Sequence, residues 1–506
     1  MVMEGAQQHN RRPSGEVTHA STETDKTKER GEKTNTRKEY KLEPRCIRPP
    51  PVGIVSGSAT MTPPRPSSGE VWCWMFIILC CLSSSYSSSS SSGPVDQSNS
   101  SRVITHLPGF DGPLPFHLET GYVEVDKSNG VHLFYYFVRS ERSPADDAIM
   151  LWLTGGPGCS VLTGLAYEIG PLSFDLNDAG ELPKLVYRPD SWTKVSSIIF
   201  LDSPVGAGFS YSDTEQGYRS SDTKAVNQIL IFLRKWFVEH PEFLSNPLYI
   251  AGDSYSGMIV PTVASRIARG IEIGSEPSLN LKGYLVGNPV TDSHFDSPSK
   301  IPFVHGMGLI SDEMFEAYKK SCSVGDNSYQ SVECAYSLAA IDECVKGICP
   351  NQVLEPLCTF ASPHPYKPTV KLNSSVREML QLQEYTSDAE LHLSEISLQC
   401  RTAGYLISRT WANNKSVREA LGIHKGTVPS WIRCNYDIHY TADIRNFSVI
   451  DKWRPWYVDG QVAGFTRSYS NNLTFATIKG GGHTAPEYMP RQCFVMFERW
   501  ISGDAL

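Results

Sequence analysis

The chain has 506 residues, of which 40% are hydrophobic and 20% charged, a composition typical of a globular protein with a sizeable core. Its length suffices for one large domain or about two to three ordinary ones. The formal net charge of -8 makes an acidic polymer an unfavourable partner, so no nucleic-acid interaction is expected.

Residues 1–70 are polar, rich in proline and poor in aromatic residues, and they are predicted to be disordered. Residues 71–82 form an apolar run that is too short to span a bilayer but typical of a signal-peptide core. A serine-rich stretch suited to cleavage extends to residue 92. Because a signal peptide belongs at the start of a chain, we expect translation to begin at Met61, residues 1–60 being an over-extended gene model. The predicted destination is the secretory pathway, extracellular or vacuolar, without a stable membrane anchor.

Predicted strands and helices follow from about residue 103, where the ordered domain is expected to begin and to continue to residue 506. Apolar strand patterns occupy residues 121–125, 131–138, 148–153, 197–201, 248–251, 281–286 and 473–479, and helical spacing occupies 227–237 and 491–501. This alternation predicts an α/β fold with a doubly wound, mostly parallel sheet. Residues from about 300 to 420 break the rhythm, and they are predicted to form a helical, disulfide-bearing insertion over the sheet.

The number of cysteines and the N-glycosylation sequons are typical of a protein of the oxidising secretory pathway. Nine cysteines follow the signal segment, and six of them lie between Cys322 and Cys400, which predicts a disulfide-stapled subdomain. A zinc site is the alternative, but no C-x-x-C pair or histidine cluster lies there, so no metal is expected. The predicted N-glycosylation sites, each beginning an N-x-S/T sequon, are Asn99, Asn373, Asn414, Asn446 and Asn472.

The predicted strand at residues 248–251 runs into residues 252–257 (GDSYSG), a Gly-x-Ser-x-Gly pattern followed by a helix-like segment. Strand, tight turn and helix together are the context of a nucleophile elbow, in which the turn exposes the serine hydroxyl above the sheet. The pattern alone is common, and an ordinary glycine–serine turn is the alternative. Ser254 is therefore the candidate nucleophile.

A nucleophilic serine needs a base, and His483 is the best candidate among the 13 histidines. It lies in a glycine-rich loop after the last predicted strand, and the order serine before histidine fits the α/β-hydrolase plan. Two N–H donors for the oxyanion are expected from Tyr255 and from Gly155-Gly156, where glycine allows the backbone to approach a substrate closely. No cofactor is expected.

Six short motifs together resemble the plant serine carboxypeptidase-like family. They are residues 110–112 (FDG), 152–160 (WLTGGPGCS), 200–206 (FLDSPVG), 252–257 (GDSYSG), 411–413 (WAN) and 482–484 (GHT). The resemblance extends over residues 103–506 and implies an α/β-hydrolase fold. It also implies Ser254 as the nucleophile, His483 as the general base, and the N–H groups of Gly156 and Tyr255 as the oxyanion hole.

The same resemblance implies three disulfides, Cys159–Cys434, Cys322–Cys334 and Cys358–Cys400. Cys344, Cys349 and Cys493 are then left over, and a bond between Cys344 and Cys349 is one open possibility.

Two positions in these motifs bear on the branch of the family. Carboxypeptidases of the family have Asn in place of Thr154 and Glu in place of Asp253, and these side chains help to bind the terminal carboxylate of a peptide. Threonine cannot supply two N–H donors, so carboxylate recognition should weaken. GDSYSG is similar to the acyltransferase branch, whose members move an acyl group from a glucose ester to an alcohol. The implied substrate-binding residues are Trp152, Thr154, Gly155, Glu168 and Asp253.

One family signature is absent. A Gly-Asp-x-Asp motif, whose first Asp orients the histidine, should lie between Ser254 and His483, and no such motif is present there. The family pattern stops near residue 445 and resumes at residue 449, so a strand, the acid and a helix, about forty residues, are missing relative to the hydrolase plan. Loss of the orienting carboxylate alone costs on the order of 10⁴ in kcat.

Three functions remain for a secreted protein of this kind. The favoured one is an acyltransferase that takes a small-molecule acyl donor and an alcohol acceptor. The second is a serine-type carboxypeptidase acting on peptide C-termini. The third is a catalytically inactive protein that lacks the triad acid.

Overall fold

The computed structural model describes residues 2–5, 99–175, 182–291, 293–322, 331–349, 352–355, 404–443, 454–468, 473–504 and 506. The signal segment, the serine-rich stretch, Cys358, Cys400, Asn373, Asn446 and Asn472 lie outside these ranges, so the predictions about them stay predictions. Within the ranges, none of the helices combines the length and the apolar character needed to cross a membrane.

Sixteen strands occur in the described ranges. They are β1 Val2–Gly5, β2 Asn99–Ile104, β3 Leu118–Asp126, β4 Val131–Val138, β5 Ala148–Leu153, β6 Leu172–Phe174, β7 Leu185–Tyr187, β8 Ser196–Leu201, β9 Tyr211–Ser212, β10 Ser220–Ser221, β11 Leu248–Asp253, β12 Leu281–Gly287, β13 Tyr440–Thr441, β14 Arg454–Val458, β15 Gln461–Ser468 and β16 Leu473–Ala476.

The same described ranges contain nine α-helices. They are α1 Asp222–Glu239, α2 Ser256–Glu272, α3 Ser293–Gly306, α4 Asp312–Ser321, α5 Val332–Val345, α6 Gly404–Asn413, α7 Lys415–Ala420, α8 Ala485–Tyr488 and α9 Pro490–Ser502.

One large sheet organises these elements, in the order β14-β15-β16-β1-β12-β11-β5-β8-β4-β3-β2, with β9 paired to β4. The four central strands β12, β11, β5 and β8 are parallel, and antiparallel strands flank them on both sides. This arrangement confirms the predicted α/β fold. The carboxyl ends of β5 and β11 lie side by side, which is where sites form in such sheets.

Hydrophobic side chains cover both faces of the sheet because alternate residues of a strand point to opposite sides. Along β4, which is buried throughout, Phe134 and Tyr136 lie in the same cluster as Phe497 of α9. Tyr135 and Phe137 lie in a second cluster with α1 and α2 on the other face. Full burial of β5 explains its continuous apolar sequence.

The predicted helical insertion is present as α3, α4 and α5, and a Cys322–Cys334 disulfide joins the end of α4 to α5 as expected. The Cys159–Cys434 disulfide is also present. The predicted bond between Cys344 and Cys349 is wrong, because Cys344 is disulfide-bonded whereas Cys349 is free.

Strand β1 is not predicted by the sequence. Val2–Gly5 pairs antiparallel with both β12 and β16, although it belongs to the segment expected to be disordered. Strands β12 and β16 would otherwise face each other with unpaired backbone groups, and pairing such groups is obligatory in a core. The rest of the 1–70 segment lies outside the described residues. β1 therefore takes the sheet position next to β12 in the 506-residue chain, and this position is open in a protein translated from Met61.

A buried ion pair links β3 to the end of α1. Nε2 of His240 lies 3.0 Å from Oε1 of Glu119, and the hydroxyl of Tyr135 donates to the same oxygen at 2.6 Å. Burial opposes ionisation of both groups, but their mutual hydrogen bond and attraction, together with the hydrogen bonds of Glu119 to Tyr135 and of His240 to the Trp236 carbonyl, outweigh it. The pKa of His240 is therefore raised and that of Glu119 is lowered.

We expect this pair to make stability depend on pH. The His240 contribution is full below its ordinary pKa of 6.5 and is lost as pH rises through the raised folded value. The Glu119 contribution is present above its ordinary 4.5 and is lost as pH falls through the lowered folded value. Both contributions are present between pH 4.5 and pH 6.5. In this range Glu119→Gln should lower the free energy of unfolding by about 3 kcal/mol, measured by urea titration.

The exposed pair Lys319–Glu316 on α4, at 2.9 Å, provides the control. Glu316→Gln should change stability by less than about 1 kcal/mol. Equal losses of unfolding free energy in the two variants would contradict a special role for the buried pair.

Candidate active site

The turn after β11 has the geometry of a nucleophile elbow. Ser254 has φ 55°, a left-handed conformation that a serine adopts only where the surrounding structure holds it there. α2 begins two residues later, so the hydroxyl sits between a strand end and a helix start. This strand–turn–helix geometry is the one predicted from residues 252–257.

His483 reaches this hydroxyl from the loop between β16 and α8. Its Nε2 lies 2.9 Å from Oγ of Ser254, so an unprotonated Nε2 accepts the serine proton. Burial, and then the positive charge of Arg433, lower the pKa of His483. The imidazole therefore stays neutral, as a general base must, over a wider pH range.

The glycine-rich loop after β5 lies against the elbow. A Cβ on Gly155 would come within 2.5 Å of the backbone N of Tyr255 and 2.6 Å of Cβ of Ser254, so only glycine fits there. Gly156 has φ +116°, which again favours glycine. The backbone of this loop and the N–H of Tyr255 thus share one small space beside Ser254.

Behind the loop lies a set of buried polar atoms without hydrogen-bond partners among the described residues. They are Nε1 of Trp152, Oγ1 of Thr154, both carboxylate oxygens of Glu168 and Oδ1 of Asp253. Burial raises the pKa of Glu168, and the neighbouring Asp253 raises it further. Burial also raises the pKa of Asp253. All five predicted substrate-binding residues, Gly155 included, are therefore buried at the carboxyl ends of β5 and β11 or close to them.

Sequence reasoning did not identify Arg433 as part of the site. Its guanidinium carbon lies 3.9 Å from the ring centroid of Tyr405, and its charge acts on His483, Glu168 and Asp253. The neighbouring Cys434 was a sequence-level pointer, since its disulfide to Cys159 brings this segment to the glycine loop.

Replacing Arg433 by Gln should raise the pKa of His483, because the variant removes a charge that opposes formation of the imidazolium. The acidic limb of the pH–rate profile for Ser254 labelling should move to higher pH. Arg266→Gln, which removes an exposed charge from α2, is the matched control and should leave the profile in place. An unchanged profile in Arg433→Gln would exclude the charge effect.

No carboxylate contacts His483 in the part of the chain that the structure describes. Asp443 accepts a hydrogen bond from the backbone N–H of Thr223 at 2.9 Å, and Asp459 lies 3.6 Å from Arg491. Neither replaces the missing acid. β1 occupies the sheet position between β12 and β16, on the path from the elbow strand to the strand that precedes His483.

Comparison with known proteins identifies the family. The sequence model described as "Serine carboxypeptidase" matches residues 108–448 and 439–503. The chain belongs to the serine carboxypeptidase family. Serine carboxypeptidase-like 19 of Arabidopsis thaliana is 43% identical, covering 81% of this chain and 96% of its own length. Serine carboxypeptidase-like 17 of the same plant is 41% identical, with 81% and 94% covered.

A solved structure of a prohormone-processing carboxypeptidase from Saccharomyces cerevisiae has the same fold, with a TM-score of 0.55 at 17% identity over 77% of this chain and 92% of that one. The family match divides into two segments near residue 445, where the sequence lacks the Gly-Asp-x-Asp signature. The alignment with serine carboxypeptidase-like 19 runs over 454 residues but takes in only 81% of the 506 here, so this relative has positions without a counterpart.

Proposed function

We propose that this serine carboxypeptidase-like protein is a secretory-pathway acyltransferase that moves an acyl group from a glucose ester to an alcohol through an acyl-enzyme on Ser254. His483 is the proposed base, and the N–H groups of Gly156 and Tyr255 are the proposed oxyanion hole. The distance of 2.9 Å between Nε2 and Oγ supports the acyl-enzyme chemistry that the acyltransferase shares with a peptidase.

The unpartnered polar atoms behind the glycine loop favour the acyltransferase. Glu168 and Asp253 offer acceptors, Thr154 offers a hydroxyl that donates or accepts, and Trp152 offers one N–H. A sugar presents several hydroxyls, each a donor and an acceptor, and so can satisfy a set of this composition. A peptide carboxylate only accepts, and it would meet two acids and a single fixed N–H donor.

In the proposed reaction Oγ of Ser254 attacks the ester carbonyl carbon while its proton passes to Nε2 of His483. The tetrahedral oxyanion takes hydrogen bonds from the two N–H groups. The bond to the sugar oxygen then breaks, and this oxygen leaves with the proton from His483. The acceptor alcohol gives its proton to His483 and attacks the acyl carbon. The bond from this carbon to Oγ then breaks, and Oγ of Ser254 takes the proton back from His483.

A serine-type carboxypeptidase is the second candidate, and the raised pKa values of the two acids favour it. A protonated Glu168 or Asp253 would donate to a peptide carboxylate, which partly replaces the missing amide donors. An inactive secreted protein is the third candidate, because His483 has no carboxylate partner among the described residues.

Incubation of the full chain with a glucose ester and an alcohol, and separately with a blocked dipeptide, distinguishes the candidates. We expect the new ester to form and the dipeptide to remain intact. Hydrolysis of the dipeptide without ester transfer would replace the acyltransferase by the peptidase. Absence of both reactions, together with absence of Ser254 labelling by a fluorophosphonate, would establish the inactive protein.

A further inference from the structure

Asp222 is a fully buried carboxylate that reaches the elbow from the first residue of α1. Its Oδ1 accepts hydrogen bonds from the hydroxyl of Tyr255 at 3.0 Å and from the hydroxyl of Tyr440 at 2.8 Å. Its Oδ2 accepts the backbone N–H of Asp443 at 2.7 Å. One carboxylate thus binds three groups from two distant parts of the chain.

Two of these groups belong to residues 433–443, which we call the strap. At one end the strap is tied to the glycine loop, by the Cys159–Cys434 disulfide and by the N–H of Ser160, which donates to the carbonyl of Arg433 at 2.7 Å. At the other end β13 pairs parallel with β10, just before α1. The strap therefore connects the loop beside Ser254 to the helix that carries Asp222.

The third group belongs to Tyr255, whose backbone N–H lies next to the glycine loop. Tyr255 and Tyr440 also line a small open pocket together with Thr154, Gly155 and Pro157. Anchoring both hydroxyls on one buried acceptor fixes the two rings, and their centroids lie 6.0 Å apart. A rotation of the unanchored Tyr255 side chain would move the pocket wall, and a shift of its backbone would move the oxyanion donor.

We propose that Asp222 is a positioning residue for acyl transfer, which fixes the Tyr255 N–H beside Ser254 and holds the strap against the elbow through Tyr440. The inference rests on the proposed acyl-enzyme at Ser254. Asp222 does not touch the reacting atoms, so its effect is on the rate of attack at Ser254. Misplacement of a reacting group by about 1 Å costs about 10²-fold in rate.

The test compares fluorophosphonate labelling rates of Ser254 in the full chain with Asp222→Asn, Tyr255→Phe and Tyr440→Phe. We expect Asp222→Asn and Tyr255→Phe each to slow labelling about 10- to 100-fold, and the double variant to be no slower than the slower single one. Tyr255→Phe and Tyr440→Phe each remove one hydroxyl oxygen. If Asp222→Asn fails to fold, these two variants provide the test.

Asp147→Asn is the matched control. Asp147 is also a buried aspartate, but it precedes the amino end of β5, at the opposite edge of the sheet. The Asp147→Asn variant should be less stable than the wild type, but its Ser254 should be labelled at the wild-type rate. Hydrogen exchange of the strap amides should accelerate in Asp222→Asn and stay slow in Asp147→Asn.

The outcomes separate the two proposals. Wild-type labelling speed in Asp222→Asn, with or without faster exchange in the strap, would overturn the positioning role alone. Failure of the wild-type chain to label at all would overturn the proposed function, and the positioning role with it.

Discussion

A strand that ends in a carboxylate, inserted between Arg445 and Asn446, is expected to raise the rate of Ser254 acylation by about 10⁴-fold. His483 already holds Nε2 at 2.9 Å from Oγ of Ser254, so the nucleophile and the base need no rearrangement. The added carboxylate would fix the tautomer and orientation of the ring and stabilise the imidazolium that forms during attack.

The graft is the segment of an active family member that carries the Gly-Asp-x-Asp signature. A strand parallel to β12 would take the position that β1 now occupies between β12 and β16. The control is the same graft with the first Asp of its Gly-Asp-x-Asp changed to Asn, which restores the strand without the charge. Equal acylation rates of the two grafted chains would contradict the role given to the missing acid.

Ser254→Ala is expected to abolish covalent labelling, yet to lower ester turnover by only about 10²-fold in the chain as it stands. Groups that act as a unit are not additive: removing the nucleophile from a complete triad costs about 10⁶, whereas removing the acid alone costs about 10⁴. In the grafted chain the same substitution should cost about 10⁶.

His483→Ala should lower ester turnover as much as Ser254→Ala does in each background, and the double variant should turn over no more slowly than either single one. Ser278→Ala, an exposed serine between α2 and β12, is the control and should label and turn over normally. A Ser254→Ala enzyme that keeps full turnover would show that another group carries the reaction.

Much of the central sheet follows from local sequence pattern. Residues 131–138 and 148–153, predicted from apolar runs, coincide with β4 and β5, because strands buried on both faces need continuous hydrophobic sequence. The helical spacing at 227–237 falls inside α1, which begins earlier because Ser221 caps it through the N–H of Lys224. The β14–β15 hairpin was missed, although Asp459-Gly460 is a strong turn signal.

The parts of the site that pattern did not predict depend on long-range contacts. Asp222 meets Tyr440 across a sequence separation of 218 residues, and Arg433 acts on His483 from a segment tied to the glycine loop by a disulfide. Neither residue lies in a motif with a chemical meaning of its own. The position of β1 was also unpredictable, since it results from a place left open in the sheet and has no strong strand pattern behind it.

The most direct test of the account is the reaction of the full-length chain with a fluorophosphonate, followed by mass spectrometry of the labelled peptide. The account predicts slow labelling at Ser254 that His483→Ala slows further, in protein shown to be folded by its cooperative unfolding. Folded protein that carries no label on Ser254, or that labels equally fast without His483, would contradict it.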